Sequence, residues 1–343
     1  MAIRTPSPMG KGRGNNMNER PRTTGLFFSS LAFVAGCLGA ATPSAAVTDY
    51  VSASGKDSNS CTTVALPCLT MGAALTKAVA GGGFNRVVVE GPATFAENVT
   101  ITSQMEIDGD GSMYQAITPK AGGVAVTING APPGASVFIQ NLKLQGFDSG
   151  STIGVEFVSG GSVDLNNMQI SGFSTAGVSF TPNAANYQAM TIESSLIDNG
   201  GCVNIKPTNA VGASVDISNT VLRSCSTGIL ADATGLPSNS WILVSAKDVN
   251  IFFTGIGAKV LTAANSGGAT ISLVSSNANS GNEGVLASGP KSYVVLDSCK
   301  ISGNGTGVDA NGKGVVNTYS NNDFSGNAAD VKAGVTLTPA KLK

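Results

Sequence analysis

Residues 163–180 read VDLNNMQISGFSTAGVSF, and variants of this phrase occur eight times between Val137 and Asp330. Each copy begins with apolar residues at alternate positions, continues through a small residue and another apolar residue, and closes with Gly-Val, Gly-Ile or a similar pair. Aligned on the first apolar position, the copies begin at Val137, Val163, Met190, Val215, Ile242, Ile271, Val294 and Asn317. A repeat of 23 to 29 residues predicts a solenoid.

The repeat itself predicts three short strands joined by turns. Alternation with a period of two is typical of a strand. A column of small residues, several of which tolerate a tightly bent backbone, follows the first strand: Asn141, Asn167, Ser194, Asn219, Ala246, Ser275, Ser298 and Asn321. One repeat is then one coil, and stacked coils at ~4.8 Å merge their inward residues into a single core. We expect Phe157 and Phe180 to stack inside that core.

This pattern resembles the right-handed parallel β-helix of the pectate-lyase-like superfamily over roughly residues 50–330. The opening, with Tyr50-Val51-Ser52, Cys61 and Pro67-Cys68 before an alanine-rich helix, is similar to that of small secreted bacterial β-helix proteins of uncharacterised function. The predicted fold class is therefore all-β, a three-sheet parallel β-helix with a short N-terminal capping helix. The resemblance supplies no mechanism.

The first 46 residues carry the features of an export signal. Basic residues precede an apolar run at 26–38, and small residues follow at 44–46. Cleavage after Ala46 is one processing route; the other is a lipobox at Val34-Ala35-Gly36-Cys37, which would place a lipid anchor on Cys37. Translation from Met17 rather than Met1 would also give an ordinary signal peptide. The predicted location is secreted or periplasmic, with an outer-membrane lipoprotein as the alternative, and the mature chain is expected to have no transmembrane span.

The predicted domain organisation has four parts. They are the leader at 1–46, an N-terminal cap with the first coils at 47–115, the β-helix repeats at 116–330 and a C-terminal tail or cap at 331–343. Thr70 is expected to start the capping helix, and the glycines at 81–83 to end it.

Charge and cysteine content limit the possible partners. Without the leader, 15 basic and 20 acidic residues remain, a formal charge of −5 that disfavours nucleic acid. Cys61 and Cys68 are predicted to form a disulfide in an exported protein. Cys202 and Cys225 lie on adjacent coils and are able to form a disulfide, which would leave Cys299 as a free cysteine. The pairing of these three stays open. Cysteine spacing shows no metal motif, and the chain has no histidine.

Candidate ligand-binding residues follow from the resemblance, which places the binding groove along the strand that begins with Gly-Val or Gly-Ile. The outward candidates on that strand are Glu156, Asn204, Lys206, Asp232 and Lys259. Lys206, Asp232 and Lys259 are predicted to form one column on consecutive coils, either as a ladder that contacts a sugar or as a surface ion-pair ladder.

A second cluster, Asp164, Glu193 and Asp216, is predicted to point outward from a neighbouring face. Long carboxylate side chains there are able to converge on calcium; the alternative, which we favour, is that they are solvated polar positions of an outward face that discourages aggregation. No other cofactor is expected.

The predicted function is binding of an extended ligand, a polysaccharide or cell-envelope component, by an exported and non-catalytic solenoid. The absence of histidine excludes the histidine-containing motif of the polygalacturonase-type hydrolases. Two alternatives stay open. One is a calcium-assisted uronate lyase with Lys206 or Arg223 as the base, and the other is a structural or adhesive surface protein.

Overall fold

The computed structural model describes residues 47–81, 83–119, 123–146, 150–184, 186–208 and 211–340. The predicted leader, with Cys37 and the Ala46 cleavage position, lies outside these ranges. Within them, the model contains no helix of the length and apolarity needed to cross a bilayer.

The elements are numbered in chain order. The N-terminal part contains β1 (Thr48–Val51), α1 (Met71–Gly81), β2 (Asn85–Val89), β3 (Ala93–Phe95), β4 (Val99–Ile101), β5 (Met105–Asp108), β6 (Gln115–Ile117) and β7 (Val124–Ile128). The repeats contain β8 (Ser136–Gln140), β9 (Lys143–Gln145), β10 (Ile153–Phe157), β11 (Ser162–Asn166), β12 (Gln169–Ser171), β13 (Ala176–Phe180), β14 (Gln188–Glu193), β15 (Leu196–Asp198), β16 (Gly201–Ile205), β17 (Gly212–Ser218), β18 (Val221–Arg223), β19 (Thr227–Asp232), β20 (Trp241–Lys247), β21 (Asn250–Phe252), β22 (Ile256–Leu261), β23 (Gly268–Val274), β24 (Asn277–Asn279), β25 (Glu283–Ser288), β26 (Ser292–Asp297), β27 (Lys300–Ser302), β28 (Thr306–Asn311), β29 (Val315–Thr318), β30 (Asp323–Ser325), β31 (Ala329–Val331) and β32 (Thr338–Pro339).

Three parallel sheets form the solenoid, as the repeat predicts. Sheet 1 has 12 strands in the order β1-β2-β5-β8-β11-β14-β17-β20-β23-β26-β29-β32. Sheet 2 has ten, β3-β6-β9-β12-β15-β18-β21-β24-β27-β30, and sheet 3 has ten, β4-β7-β10-β13-β16-β19-β22-β25-β28-β31. From β2 onward the chain visits the three sheets in rotation, so each strand that is not at the end of its sheet pairs with its equivalents one coil before and one coil after.

The inward residues stack in columns along the axis. Val163, Val215 and Val294 occupy one buried file of sheet 1, with Met190, Val244 and Ile271 between them. Phe157 and Phe180, both fully buried, stack with their ring centroids 4.9 Å apart and an interplanar angle of 24°. Both expectations are confirmed, and the core is continuous because each coil adds one layer to every column.

The turn between sheets 1 and 2 requires a left-handed backbone at one position in each coil. Its residues, with φ between 48° and 63°, are Asn141, Asn167, Ser194, Asn219, Asp248, Ser275, Ser298 and Ser320. Ala246 and Asn321 were predicted for this column, and both predictions are wrong. Ala246 is a buried strand residue, and the residue before Asn321 makes the bend.

The predicted register is wrong by two residues in the coil that begins at β20. Val244, not Ile242, continues the column of Val215 and Ile271. The next two strands of this coil keep the shifted register, with Ile251 paired to Leu222 and Ala258 to Ile229. β20 is a long strand in which alternate residues are buried throughout. Because alternation looks the same after a shift of two, the pattern alone does not locate the first strand position.

The N-terminal end is closed by α1 and its disulfide-linked loop. The Ala73 amide donates a hydrogen bond to Thr70 Oγ1 at 3.1 Å, which is the predicted cap. Glu97 adds a second cap that was not predicted, because its carboxylate accepts from the amides of Met71 (2.7 Å) and Gly72 (3.1 Å). The Cys61–Cys68 disulfide is confirmed. Cys202 and Cys225 are also bonded, and Cys299 is a buried free thiol.

Candidate functional site

Lys206 and Asp232 on sheet 3 form an ion pair, with 2.9 Å between Lys206 Nζ and Asp232 Oδ2. Asp232 is 6% exposed and also accepts hydrogen bonds from the Thr234 hydroxyl (2.6 Å) and amide (3.0 Å). Burial alone would raise the pKa of Asp232, but the Thr234 hydrogen bonds and the Lys206 ammonium outweigh it and hold the pKa below the usual value. These contacts brace the loop that follows β19.

Lys259 does not continue this pair into a ladder, so the predicted three-residue column is wrong. Leu261, not Lys259, is paired with Asp232. Lys259 instead lies between Leu230 and Leu286 in the next outward column. The cause is the same shift of two residues that begins at β20.

Glu156 and Asn204 occupy that next column, separated by the buried Ser179. Leu286 and Asp309, farther along it, are also buried, and Lys332 Nζ lies 2.6 Å from Asp309 Oδ2. Polar residues in this column are therefore separated by buried residues, and the column does not form a continuous polar surface.

The three carboxylates proposed for calcium do not converge. Asp164 and Asp216 share an outward column of sheet 1 with Thr191 between them, whereas Glu193 lies in the neighbouring column beside Asn166. Within the described ranges, no group of three or more acidic or cysteine side chains is arranged to hold a metal ion. Calcium binding stays a prediction from sequence.

The outward face of sheet 1 carries a feature that the sequence reasoning missed. Trp241, the one tryptophan of the chain, begins β20 and is 38% exposed. Its neighbours on the two adjacent strands are glycines, Gly212 on β17 and Gly268 on β23. A large ring with no side chain on either side has room to lie on the sheet.

Trp241 uses that room to lie flat. A Cβ atom built on Gly268 would be within 2.6 Å of three consecutive carbons of the six-membered ring, so the face of the ring covers the glycine. Tyr293 on β26 continues the surface, with its ring centroid 6.1 Å from that of Trp241 and an interplanar angle of 26°.

Tyr187 extends the row in the other direction. It immediately precedes β14, is 55% exposed, and two of its ring carbons lie 3.3 and 3.4 Å from a Cβ built on Gly212. Tyr187, Trp241 and Tyr293 thus come from every second strand along the axis. We call these three residues the aromatic strip.

Hydroxyl groups flank the strip. A depression of about 240 Å³ begins two residues along β20 from Trp241 and is lined by Ser214, Leu243, Val244, Ser245, Thr270 and Ser272. A second, of about 230 Å³, lies nearer the N-terminus on the same face and is lined by Phe138, Ile139, Gln140, Asp164, Leu165, Asn166, Thr191 and Glu193. Exposed aromatic rings beside short hydroxyl side chains supply both apolar and hydrogen-bonding contacts to a ligand.

A signal for the strip was present in the sequence. Gly212 lies 29 residues before Trp241 and Gly268 lies 27 residues after it, both within the range of the repeat. Glycine one repeat away on each side of a tryptophan indicates an open surface around the ring. The two-residue error in register concealed this correspondence.

Comparison with protein-family models finds no match for the chain, and comparison with curated proteins finds no significant one. Among solved structures, two chains match significantly. The A-module of a mannuronan C-5 epimerase from Azotobacter vinelandii has 13% identity and a TM-score of 0.44, with 77% of this chain and 92% of that chain covered. A GH136 lacto-N-biosidase from Eubacterium ramulus has 12% identity and a TM-score of 0.36, with 86% and 68% covered.

Proposed function

We propose that this protein binds an extended polysaccharide along the outward face of sheet 1. The observation that carries the proposal is the aromatic strip, in which Trp241 and Tyr293 lie close to parallel above the strands. The C–H groups of a sugar ring form an apolar face that packs on an aromatic ring, and the hydroxyls at its rim hydrogen bond to groups beside that ring.

The exposure of the strip supports a ligand rather than a structural role. Trp241 and Tyr187 are large apolar groups held in water, and Leu243, 49% exposed, lies in the strand of Trp241. Contiguous exposed apolar surface of this kind marks interaction sites. The face also runs through successive coils at a fixed spacing, which suits a polymer better than a compact ligand.

We propose a non-catalytic role. The two bases considered for a uronate lyase are both held in ion pairs: Lys206 with Asp232, and Arg223 with Asp198 at 3.0 Å. A lysine or arginine whose side chain is engaged with a carboxylate is not positioned to remove a proton from a bound sugar. Uronates incubated with the protein and calcium are expected to give no unsaturated product absorbing in the ultraviolet.

Export is part of the same proposal. Two disulfides, Cys61–Cys68 and Cys202–Cys225, suit an oxidising compartment. Mass spectrometry of the mature amino terminus distinguishes cleavage after Ala46 from lipidation of Cys37.

The direct test is binding of the secreted protein to soluble polysaccharides by affinity electrophoresis. Trp241→Ala should abolish the retardation, whereas Lys206→Ala, a matched change on sheet 3, should leave it intact. If no polysaccharide retards the protein, the proposal is refuted. If Lys206→Ala abolishes the retardation and Trp241→Ala does not, the binding site lies on sheet 3. Self-association that depends on Trp241, without glycan binding, would favour the structural or adhesive alternative.

A further inference from the structure

We infer that Lys291 is a specificity-determining residue of the aromatic strip, and that the glycan bound there carries an anionic group that contacts the Lys291 ammonium. This inference rests on the proposed polysaccharide binding and specifies the class of ligand. It commits the strip to one occupant, a glycan that bears carboxylate or sulfate groups.

Lys291 lies in the column of Trp241. Trp241 is paired with Gly268, and the next strand pairs Ala269 with Ser292, so Lys291 comes beside Gly268 one coil farther on. The Ala269 amide donates to the Lys291 carbonyl oxygen at 3.1 Å, which fixes this position. Lys291 is also two residues before Tyr293, so it lies next to the strip.

The Lys291 ammonium is directed back toward the coil of Trp241. Its Nζ donates to the carbonyl oxygens of Ser238 (3.0 Å) and Ser266 (3.3 Å), which belong to the loops that immediately precede Trp241 and Gly268. Within the described ranges, Lys291 has no ion pair with a carboxylate. An ammonium has three protons, so one is left for a ligand, and the two carbonyls do not neutralise the charge.

The border of the strip is positively charged. Between β7 and β29 the loops that return the chain from sheet 3 to sheet 1 are 129–135, 158–161, 181–187, 206–211, 233–240, 262–267, 289–291 and 312–314. Their sequences contain no aspartate or glutamate, and their charged residues are Lys206, Lys291 and Lys313. Lys206 is paired with Asp232, whereas Lys313 is exposed one coil beyond Lys291 and forms no ion pair within the described ranges. An anionic ligand complements this border.

The carboxylates of sheet 1 are distant from this border. Those between β11 and β26 lie in columns that are four to six residues along the strands from Trp241, and they are Asp164, Glu193, Asp216 and Asp297. At ~3.3 Å per residue the separation is about 13–20 Å, longer than the screening length of ~8 Å at physiological ionic strength. An anionic group at Lys291 therefore meets a nearby cation and little repulsion.

Tryptophan fluorescence tests the inference, because Trp241 is the sole tryptophan and lies at the proposed site. The secreted protein is titrated at low salt with pairs of oligosaccharides that differ in charge. One pair is oligogalacturonates and their methyl esters, and the other is laminari-oligosaccharides with and without sulfate. In at least one pair the anionic member should bind about tenfold more tightly, the effect of one charge-assisted hydrogen bond, and high salt should reduce the difference. The first pair reports on carboxylate and the second on sulfate.

Variants assign the preference to Lys291. Lys291→Met should weaken binding of the anionic member about tenfold and change that of the neutral member by less than about twofold, whereas Lys291→Arg should keep the preference. Lys247→Met is the matched control, because Lys247 is an exposed lysine on the strand of Trp241, six residues farther along, and the preference should be unchanged. Lys313→Met leaves both carbonyl contacts of Lys291 intact and should reduce the preference about twofold, so the inference stays testable if Lys291→Met does not fold.

The outcomes distinguish this inference from the proposal beneath it. Equal affinities within both pairs would overturn the inference and leave polysaccharide binding standing. Equal loss of anionic and neutral binding in a folded Lys291→Met, with circular dichroism as the check on folding, would also overturn it, because Lys291 would then only hold the two loops. Absence of a response to every glycan, by fluorescence and by affinity electrophoresis, would overturn both.

Discussion

The bend between sheets 1 and 2 is predicted to depend on left-handed backbone at Asn167, and replacing this residue by alanine and by glycine isolates that requirement. Asn167 has φ 50°, and its Nδ2 donates to Asn141 Oδ1 at 2.8 Å. Both substitutions remove this side-chain hydrogen bond, worth about 1 kcal/mol. Only alanine also adds the steric cost of a left-handed residue with a Cβ, about 1–2 kcal/mol.

The expected losses of unfolding free energy are therefore about 2–3 kcal/mol for Asn167→Ala and about 1.5–2 kcal/mol for Asn167→Gly, which loses the hydrogen bond and adds about 0.5–1 kcal/mol through the greater freedom of glycine in the unfolded chain. The adjacent Asn166 is the internal control. It is an exposed strand residue without positive φ, so there glycine should be worse than alanine by about 0.5–1 kcal/mol. The order of the two substitutions should thus invert between neighbouring residues.

Urea unfolding at equilibrium measures these differences, followed by far-ultraviolet circular dichroism and by Trp241 fluorescence. Coincidence of the two transitions establishes that one free energy describes the chain. If alanine and glycine are equally destabilising at 167, or if the order is the same at 166 and 167, the account of the turn is wrong.

Two further predictions concern the cap and the sheet 3 ion pair. Cys61→Ser removes a disulfide whose two cysteines are seven positions apart, and it should lower the free energy of unfolding by about 2.5 kcal/mol. Amide hydrogen exchange in α1 should become faster, and unchanged exchange there would contradict the role of the disulfide in the cap. Asp232→Asn should lower stability at neutral pH, because the folded-state pKa of Asp232 lies below the ordinary value of 3.8. This contribution is present above 3.8 and is lost as the pH falls through the folded-state pKa. Unfolding free energies of the two proteins from neutral to acidic pH should therefore converge, and a constant difference would show that Asp232 acts through packing instead of charge.

Much of the fold was predictable because its causes are local. The alternation in Val163-Asp164-Leu165 defines an inward and an outward side, and Asn167 accepts the bend that follows. Thr70 and the run of glycines after Val79 delimit the capping helix in the same way. Each feature depends on a few consecutive residues, so it is readable without knowledge of the neighbouring coils.

The register of β20 was not predictable from the same pattern. Ile242, Val244 and Ala246 are all buried, so the local alternation is satisfied by more than one alignment. The backbone pairing of β20 with β17 and β23 selects one of them. That choice removes Lys259 from the column of Asp232 and places the left-handed turn at Asp248.

By itself, then, the sequence determined the solenoid, its three strands per coil, the capping helix and the Cys61–Cys68 bond, because side-chain alternation, turn preference and short loops act over short stretches of chain. Tertiary structure alone decided which outward residues meet. Tyr187, Trp241 and Tyr293 are separated by more than fifty residues at each step, and they form one surface because the loop lengths and strand pairing of four successive coils bring them into line, with Gly212 and Gly268 leaving space beneath the rings.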